Sequence, residues 1–388
     1  MMPPFNTRIS KQLEKRLDSR LSRSIRTIEA GNTASLSFQS KRHVNFSSND
    51  YLGLAADKTL SQAWQRGIDL YGNGSGASPL VTGFSKAHAD LEASLCDWLG
   101  FERAILFSSG FSANQAVLFS LMKEGDLLVQ DKLNHASLIE AGIHCSATMK
   151  RFRHNDIEHL KRTLTSGGLV VTEGVFSMDG DLAPLADIHD ITQVNSWFMV
   201  DDAHGIGVLG EEGRGSCHSA NVKPEILVVT FGKALGLSGA AVMCNQDLGD
   251  YFTQFARHHV YSTAMPPSLA HAISHSIEMV RTQQWRRDKL AELQSEYQQR
   301  FSMLDGYIET ETPIKPFLIG DSGASVQIAM ALSDMGLWLT AIRPPTVAKG
   351  AARLRVTLTA NHNINQVKAL ANAIGQAVEK VAEWNRRF

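Results

Sequence analysis

Six short apolar runs, at residues 104–107, 127–129, 169–172, 197–200, 226–229 and 240–244, are separated by stretches long enough to hold helices. Runs with so little polar alternation suit strands covered on both faces. Strands of this kind with helices between them form a mainly parallel sheet, because a parallel crossover consumes about a dozen residues. The expected fold class is α/β, with a mainly parallel sheet in a large domain. After Pro266 and Pro267 the charge pattern predicts one long connecting helix over about 268–303. Beyond it, short segments at 317–319, 326–328, 338–342 and 353–358 and a closing helix predict a smaller C-terminal α+β domain. Residues 8–30 carry Ile9, Leu13, Leu17, Leu21 and Ile25 at helical spacing, which predicts an N-terminal amphipathic helix. The division expected is an N-terminal helical arm (1–45), a large domain (46–285) and a small C-terminal domain (286–388).

Charge narrows the partners. Lysine and arginine number 38 against 39 acids, a net of −1, so no global field draws in nucleic acid or an anionic membrane. Cys96, Cys145, Cys217 and Cys244 form no CxxC pair, which argues against a zinc ribbon or a disulfide framework and for a reducing compartment. The first residues lack an apolar signal core, and no stretch reaches the roughly 20 apolar residues of a membrane span. A cytoplasmic location is expected.

Three segments carry chemistry. In FSSGFSANQA (107–116) an apolar strand ends at Ser108, Ser109 and Gly110 and a helix begins. The free N–H groups and positive dipole end of such a junction can hold a phosphate, although strand–glycine–helix turns are common. In WFMVDDAHGIGVLG (197–210), Asp201 and Asp202 stand at a strand's C-terminal end, the ligand edge of an open α/β sheet, and His204 follows. An aspartate there often only caps a turn, but acids behind a buried strand are costly without a cationic partner. In ILVVTFGKALG (226–236), Lys233 lies just past another apolar strand, where desolvation lowers an amine's pKa and suits it to Schiff-base chemistry. A lone lysine would more often snorkel into solvent. The set shifts the balance: an anion cradle, a carboxylate and an aldehyde-capturing amine are the three parts that pyridoxal phosphate requires.

Other patterns are weaker. Gly205, Gly207 and Gly210 spell GxGxxG, yet EEGRGS follows in place of an amphipathic helix, so a nicotinamide oxidoreductase is a minor alternative. A non-catalytic binding protein on the same fold is a second. A visible absorption band from a lysine-bound cofactor separates both from the main reading. His271 and His275 are four apart on a helix, but no third ligand is evident and a solvated helix face explains them; no metal site is expected. His135, in DKLNHASL, again falls beyond a strand end, where its ring can lie on a cofactor.

Together, NFSSNDYLGL (45–54), GSGASPLVTG (74–83), SSGFSAN (108–114), NHASL (134–138), TEGVFSMDGD (172–181), VDDAHG (200–205), TFGKALG (230–236) and AIRPPTV (341–347) closely resemble the α-oxoamine synthases, fold-type I pyridoxal-phosphate enzymes. The resemblance covers nearly the whole chain. It implies a large pyridoxal-phosphate-binding domain and decarboxylative condensation of an amino acid with an acyl thioester. The VDDAHG, TFGK and AIRPPTV forms point to the branch that joins L-alanine to a pimeloyl thioester, on CoA or an acyl carrier protein, in biotin biosynthesis. The glycine C-acetyltransferase, 5-aminolevulinate synthase and serine palmitoyltransferase branches are the near alternatives. The resemblance further implies that Lys233 holds the cofactor, Asp201 pairs with its pyridine nitrogen and His135 stacks on its ring. His204 and Ser177 would contact the phenolic oxygen. Gly110, Phe111 and Thr230 would hold the phosphate, with Thr263 from a second subunit of a homodimer. Arg355 would bind the amino-acid carboxylate, and Arg26, Asn49 and Thr346 would line the substrate channel.

Overall fold

A computed structural model describes residues 4–19, 21–31 and 33–387. Its centre is a seven-stranded sheet. Among the described residues the strands, in chain order, are β1 (Ala30–Gly31), β2 (Ser35–Phe38), β3 (Lys41–Asn45), β4 (Arg103–Phe107), β5 (Leu127–Asp131), β6 (Thr148–Phe152), β7 (Leu169–Glu173), β8 (Trp197–Asp201), β9 (Ile226–Thr230), β10 (Ala240–Cys244), β11 (Ile314–Gly320), β12 (Leu337–Trp338), β13 (Thr340–Ile342) and β14 (Ala352–Thr357). The central order is β4-β10-β9-β8-β7-β5-β6. Strand β10 runs antiparallel to both neighbours, and the other pairs are parallel.

The apolar runs become strands because both sheet faces are covered. Leu106, Val129, Val170, Val200 and Val229 point into one core, while Ile105, Leu128, Val171, Met199 and Val228 point into the other. Alternate residues of one strand thus serve opposite layers, so no polar alternation survives in the sequence. Strand β6 differs. Its TMKRF is mostly uncovered, as befits an edge strand whose charges deter further pairing.

Two smaller sheets flank the centre. Strands β1, β2 and β3 form a meander that β12 extends in parallel, joining residues near the start of the chain to residues near its end. Strands β11, β14 and β13 form an antiparallel sheet. The segment at 326–328 is helical rather than extended, since it lies inside the helix Ser322–Asp334.

Two helices differ from expectation. The N-terminal helix spans Phe5–Asp18 and stops well short of residue 30. Ser19 turns its hydroxyl onto Lys15 O at 2.5 Å, and the serine- and β-branched-rich stretch that follows favours helix poorly. The long helix over 268–303 is two, Pro267–Thr282 and Trp285–Phe301. At the break, Gln283 and Gln284 accept from the Nε atoms of Arg286 (2.7 Å) and Arg287 (2.9 Å). Arg286 then reaches Leu52 O at 2.7 Å and Asp57 at 2.8 Å, pinning the corner to the large sheet's covering layer. Among the described residues no helix is long and apolar enough to cross a membrane.

Candidate active site

Strands β4, β5, β7, β8 and β9 all end on the same edge of the central sheet, and their last residues or the turns beyond them surround a cavity of about 320 Å³. Thr230 ends β9 and Lys233 follows it; Asp201 ends β8; Glu173 ends β7; His135 lies just beyond β5. From β4 the chain passes through Ser108 and Ser109 into the helix Gly110–Leu121, whose N-cap is Ser109, its hydroxyl accepting from Ser112 N at 3.2 Å. The remaining free amides of that first turn face the cavity.

Asp201 is oriented from two sides. Asn114 Nδ2 donates to its Oδ2 at 2.7 Å, and Ala203 N donates to its Oδ1 at 3.1 Å. Asn114 also donates to Ser137 Oγ at 2.9 Å, and that hydroxyl lies 2.8 Å from His135 Nδ1. Burial lowers the His135 pKa; the Asp201 charge opposes this and Lys233 adds to it. Desolvation likewise lowers Lys233, against the pull of Asp201 and Glu173 and with the help of Arg355. Glu173 is driven well above the usual carboxylate range by burial, with Asp201 adding and Lys233 opposing. Its Oε1 is buried without a hydrogen-bond partner.

A second cavity of about 300 Å³ shares Asn49, His135, His204 and Lys233 with the first and adds Ser177 and Arg355. Arg355 comes from β14 of the small sheet. Its Nε donates to Ser177 O at 2.5 Å, and its Nη1 donates to Asn49 Oδ1 at 2.9 Å and Thr357 Oγ1 at 3.0 Å. Its Nη2 is buried with no partner. Tyr51, fully buried, meets His204 Nδ1 at 2.6 Å and lies 3.4 Å from Asn49 Oδ1. Burial first, then the positive Lys233, Arg355 and His135, hold His204 well below the usual imidazole range, so it stands neutral.

A third cavity of about 830 Å³ shares Thr340 and Ile342 with the second, so β13 is the wall common to both. Thr346, Arg23 and Arg26 line it. Arg23 Nη2 donates to Thr346 Oγ1 at 3.3 Å, whereas the Arg26 guanidinium packs 5.3 Å from the centre of the Trp338 ring.

Ten of the residues singled out in the sequence therefore meet around two joined cavities: Lys233, Asp201, His135, His204, Gly110, Phe111, Thr230, Asn49, Ser177 and Arg355. Arg26 and Thr346 stand in the third. Thr263 is exposed on a separate loop and does not line any of the three within this chain. Asn114, Glu173, Tyr51 and Arg23 join the site although no sequence motif assigns them a role. Asn114 was within reach, because it follows Gly110 by four residues and so shares a helix face with the phosphate-ready turn. Glu173 closes its strand as Asp201 closes the next, with which it pairs directly in register.

The GxGxxG string has another use here. Gly205 backs onto the Asp202 carboxylate, where an added Cβ would stand 2.1 Å from Oδ1, and Glu211–Gly213 forms a single short turn of 3₁₀ helix instead of the long helix a dinucleotide fold needs.

The residues fit a flat, phosphorylated aldehyde. Free amides serve the anion, a carboxylate serves a ring nitrogen, and a desolvated amine faces both; a side chain at Gly110 would crowd Thr230 Cγ2 at 2.6 Å, so the cradle is shaped for close backbone approach.

The sequence matches the model of aminotransferases class I and II over residues 41–374. The chain belongs to that family. Its relatives include the 8-amino-7-oxononanoate synthase of Vibrio parahaemolyticus, 61% identical, covering 97% of this chain and 99% of the relative. Among solved structures, a serine palmitoyltransferase variant from S. paucimobilis with bound PLP and myriocin superposes with a TM-score of 0.90 at 26% identity, covering 96% and 97% of the two chains. The 8-amino-7-oxononanoate synthase of Francisella tularensis does so with a TM-score of 0.79 at 28% identity, covering 87% and 98%. The architecture is the α/β fold of fold-type I pyridoxal-phosphate enzymes.

Proposed function

We propose that this chain is a pyridoxal-phosphate-dependent C-acyltransferase that condenses L-alanine with a pimeloyl thioester, with loss of carbon dioxide, to give 8-amino-7-oxononanoate for biotin synthesis. The observation that carries the reading is the meeting of Lys233, Asp201 and the Ser109–Gly110 turn at one cavity, with Arg355 lining its neighbour. The 61% identity to a named 8-amino-7-oxononanoate synthase selects among the reactions such a site supports.

Bound pyridoxal phosphate supplies an aldehyde that captures amines and a cationic ring that withdraws electrons from the α-carbon. The chain's residues do the rest. Lys233, with a lowered pKa, would hold the aldehyde carbon and, as a free amine, would take the α-proton onto Nζ. Asp201, held by Asn114 and Ala203, would keep the pyridine nitrogen protonated. His135 would contact the ring, and His204 and Ser177 its phenolic oxygen. Gly110, Phe111 and Thr230 would hold the phosphate, with Thr263 from the second subunit of a homodimer. Arg355 would bind the alanine carboxylate and orient the α-carbon bonds. The α-carbon then bonds to the thioester carbonyl carbon and the thiol leaves. The bond from the α-carbon to the carboxylate breaks, carbon dioxide departs, and a proton returns to the α-carbon. Asn49 and Thr346 line the way for the acyl chain, together with Arg26 and, from its bond to Thr346, Arg23. The large domain spans 46–285 and the small one 286–388, after an N-terminal arm of 1–45, and the enzyme works in the cytoplasm on CoA or carrier-protein thioesters.

The test is product analysis. Holoenzyme given alanine and a panel of acyl thioesters, each on CoA and on acyl carrier protein, should release 8-amino-7-oxononanoate from the pimeloyl donors when followed by mass spectrometry. A dominant product from another amino acid or a short acyl donor would overturn the assignment.

A further inference from the structure

Behind the amino-acid site, outside every cavity described above, His154 stands between two carboxylates. Its Nδ1 lies 3.0 Å from Asp131 Oδ1 and its Nε2 2.8 Å from Asp181 Oδ2. The two acids belong to different walls of the site. Asp131 ends β5 and, fully buried, shapes the turn that presents His135, since its Oδ1 also accepts from Leu133 N at 2.7 Å and its carbonyl from Asn134 N at 3.3 Å. Asp181 lies in the strap of residues 174–182 that carries Ser177. Neighbouring Asn155 repeats the bridge: its N donates to Asp131 Oδ2 at 2.9 Å, and its Nδ2 donates to Asp181 Oδ2 at 3.1 Å and Leu182 O at 3.0 Å. The His154 ring also meets buried Phe176 edge-on, centroids 4.4 Å apart, one residue before Ser177.

The far side of the strap meets the small sheet. Arg353 Nη1 donates to Asp179 at 2.6 Å, Thr312 Oγ1 to Gly180 O at 2.7 Å, and Arg355 Nε to Ser177 O at 2.5 Å. Any shift of the strap therefore passes to Arg355, which lines the second cavity. We infer that His154 is a positioning residue for the amino-acid site: bonded to both walls, it fixes the Ser177 strap against the His135 turn and thereby sets the aim of Arg355. Burial disfavours its charge, but the hydrogen bonds and charges of Asp131 and Asp181 prevail and push its pKa up to about 10, so the bridge is cationic at working pH. This inference rests on the proposed role of Arg355 in holding the substrate carboxylate.

The experiment compares wild-type holoenzyme with His154→Gln, Asp181→Asn, Arg355→Lys and the His154→Gln/Arg355→Lys pair, using alanine and pimeloyl-CoA. His154→Gln should raise the alanine KM roughly ten-fold, more than it lowers kcat, because a charge-assisted bridge is lost. Asp181→Asn should move KM the same way by less. In the Arg355→Lys background, which lacks the Nε bond to Ser177, His154→Gln should add no more than about two-fold, the margin expected of a shared path. Hydrogen exchange of 174–182 should quicken in His154→Gln, a readout independent of turnover. Full additivity of the pair, or a lower melting temperature with unchanged KM and unchanged exchange in the strap, would overturn the inference. A wild type that turns over pimeloyl-CoA with some other amino acid would defeat the functional reading instead, while the exchange data still report on the clamp.

Discussion

Two adjacent carboxylates at the end of β8 have different surroundings. Asp201 lines the cofactor cavity and keeps its orientation through Asn114 and Ala203. Asp202 is turned away, accepting from Ser216 N at 2.8 Å and Ser216 Oγ at 2.6 Å, with Gly174, Gly205 and Gly215 so close that none has room for a Cβ. Burial pushes the Asp202 carboxyl up to about 7 against those hydrogen bonds. Asp201→Asn should therefore lose roughly 10²-fold in kcat, since an amide cannot keep a ring nitrogen protonated. Asp202→Asn should leave kcat within a few-fold. A raised carboxyl pKa means that the folded state holds the proton longer than the unfolded chain, so this group's contribution to stability falls as pH rises from the ordinary carboxylate range through about 7. The difference between wild type and Asp202→Asn in chemical denaturation should therefore depend on pH across that window, and a flat difference, or equal kcat losses in the two variants, would refute the division of labour. Lys233, Asp201 and His135 were legible because each lies within a few residues past an apolar run, where an α/β sheet presents its ligand edge. It could not rank Arg23 above Arg26, because the helix expected there ends at Asp18 and no periodicity fixes which way a side chain points along 21–29.

At the scale of elements, the helix Gly110–Leu121 shows how the cradle works. Its apolar residues bury against the central sheet while its first turn stays open to the cavity. Gly110→Ala should not weaken the helix, alanine being the better helix former, but its Cβ would press on Thr230 Cγ2. The expected outcome is cofactor affinity reduced about ten-fold or more, read by equilibrium titration, with an unchanged far-UV spectrum of the apoenzyme. Unchanged affinity would place the phosphate elsewhere. Strands of the sheet interior were legible as apolar runs, whereas β6 was not, because an edge strand with Lys150 and Arg151 has neither a buried pair of faces nor an apolar run to announce it. The segment 326–328 misleads for another reason: Val326 and Ile328 alternate about Gln327 as they would in a strand, and only the longer Ser322–Asp334 context decides for helix. The break at Gln283–Gln284 depends on where Arg286 reaches, a tertiary contact that local pattern does not carry.

At the scale of the whole molecule, the site is assembled from distant stretches of chain. The central sheet brings the cofactor residues, β14 brings Arg355, and residues 45–54 bring Asn49 and Tyr51 between them. The three cavities share lining residues from one to the next, with β13 between the second and the large outer one, so the outer one lies within reach of an acyl chain. Each methylene buried along it favours the longer donor by about 0.8 kcal/mol. Alanine and glycine differ by one methyl, so that preference should amount to about 1–3 kcal/mol. The decisive measurement is kcat/KM of the holoenzyme for four pairings, alanine or glycine with pimeloyl- or acetyl-CoA. Alanine with pimeloyl-CoA should be fastest, with glycine substituted at a loss of roughly ten- to two-hundred-fold. Highest efficiency with glycine and acetyl-CoA would contradict it.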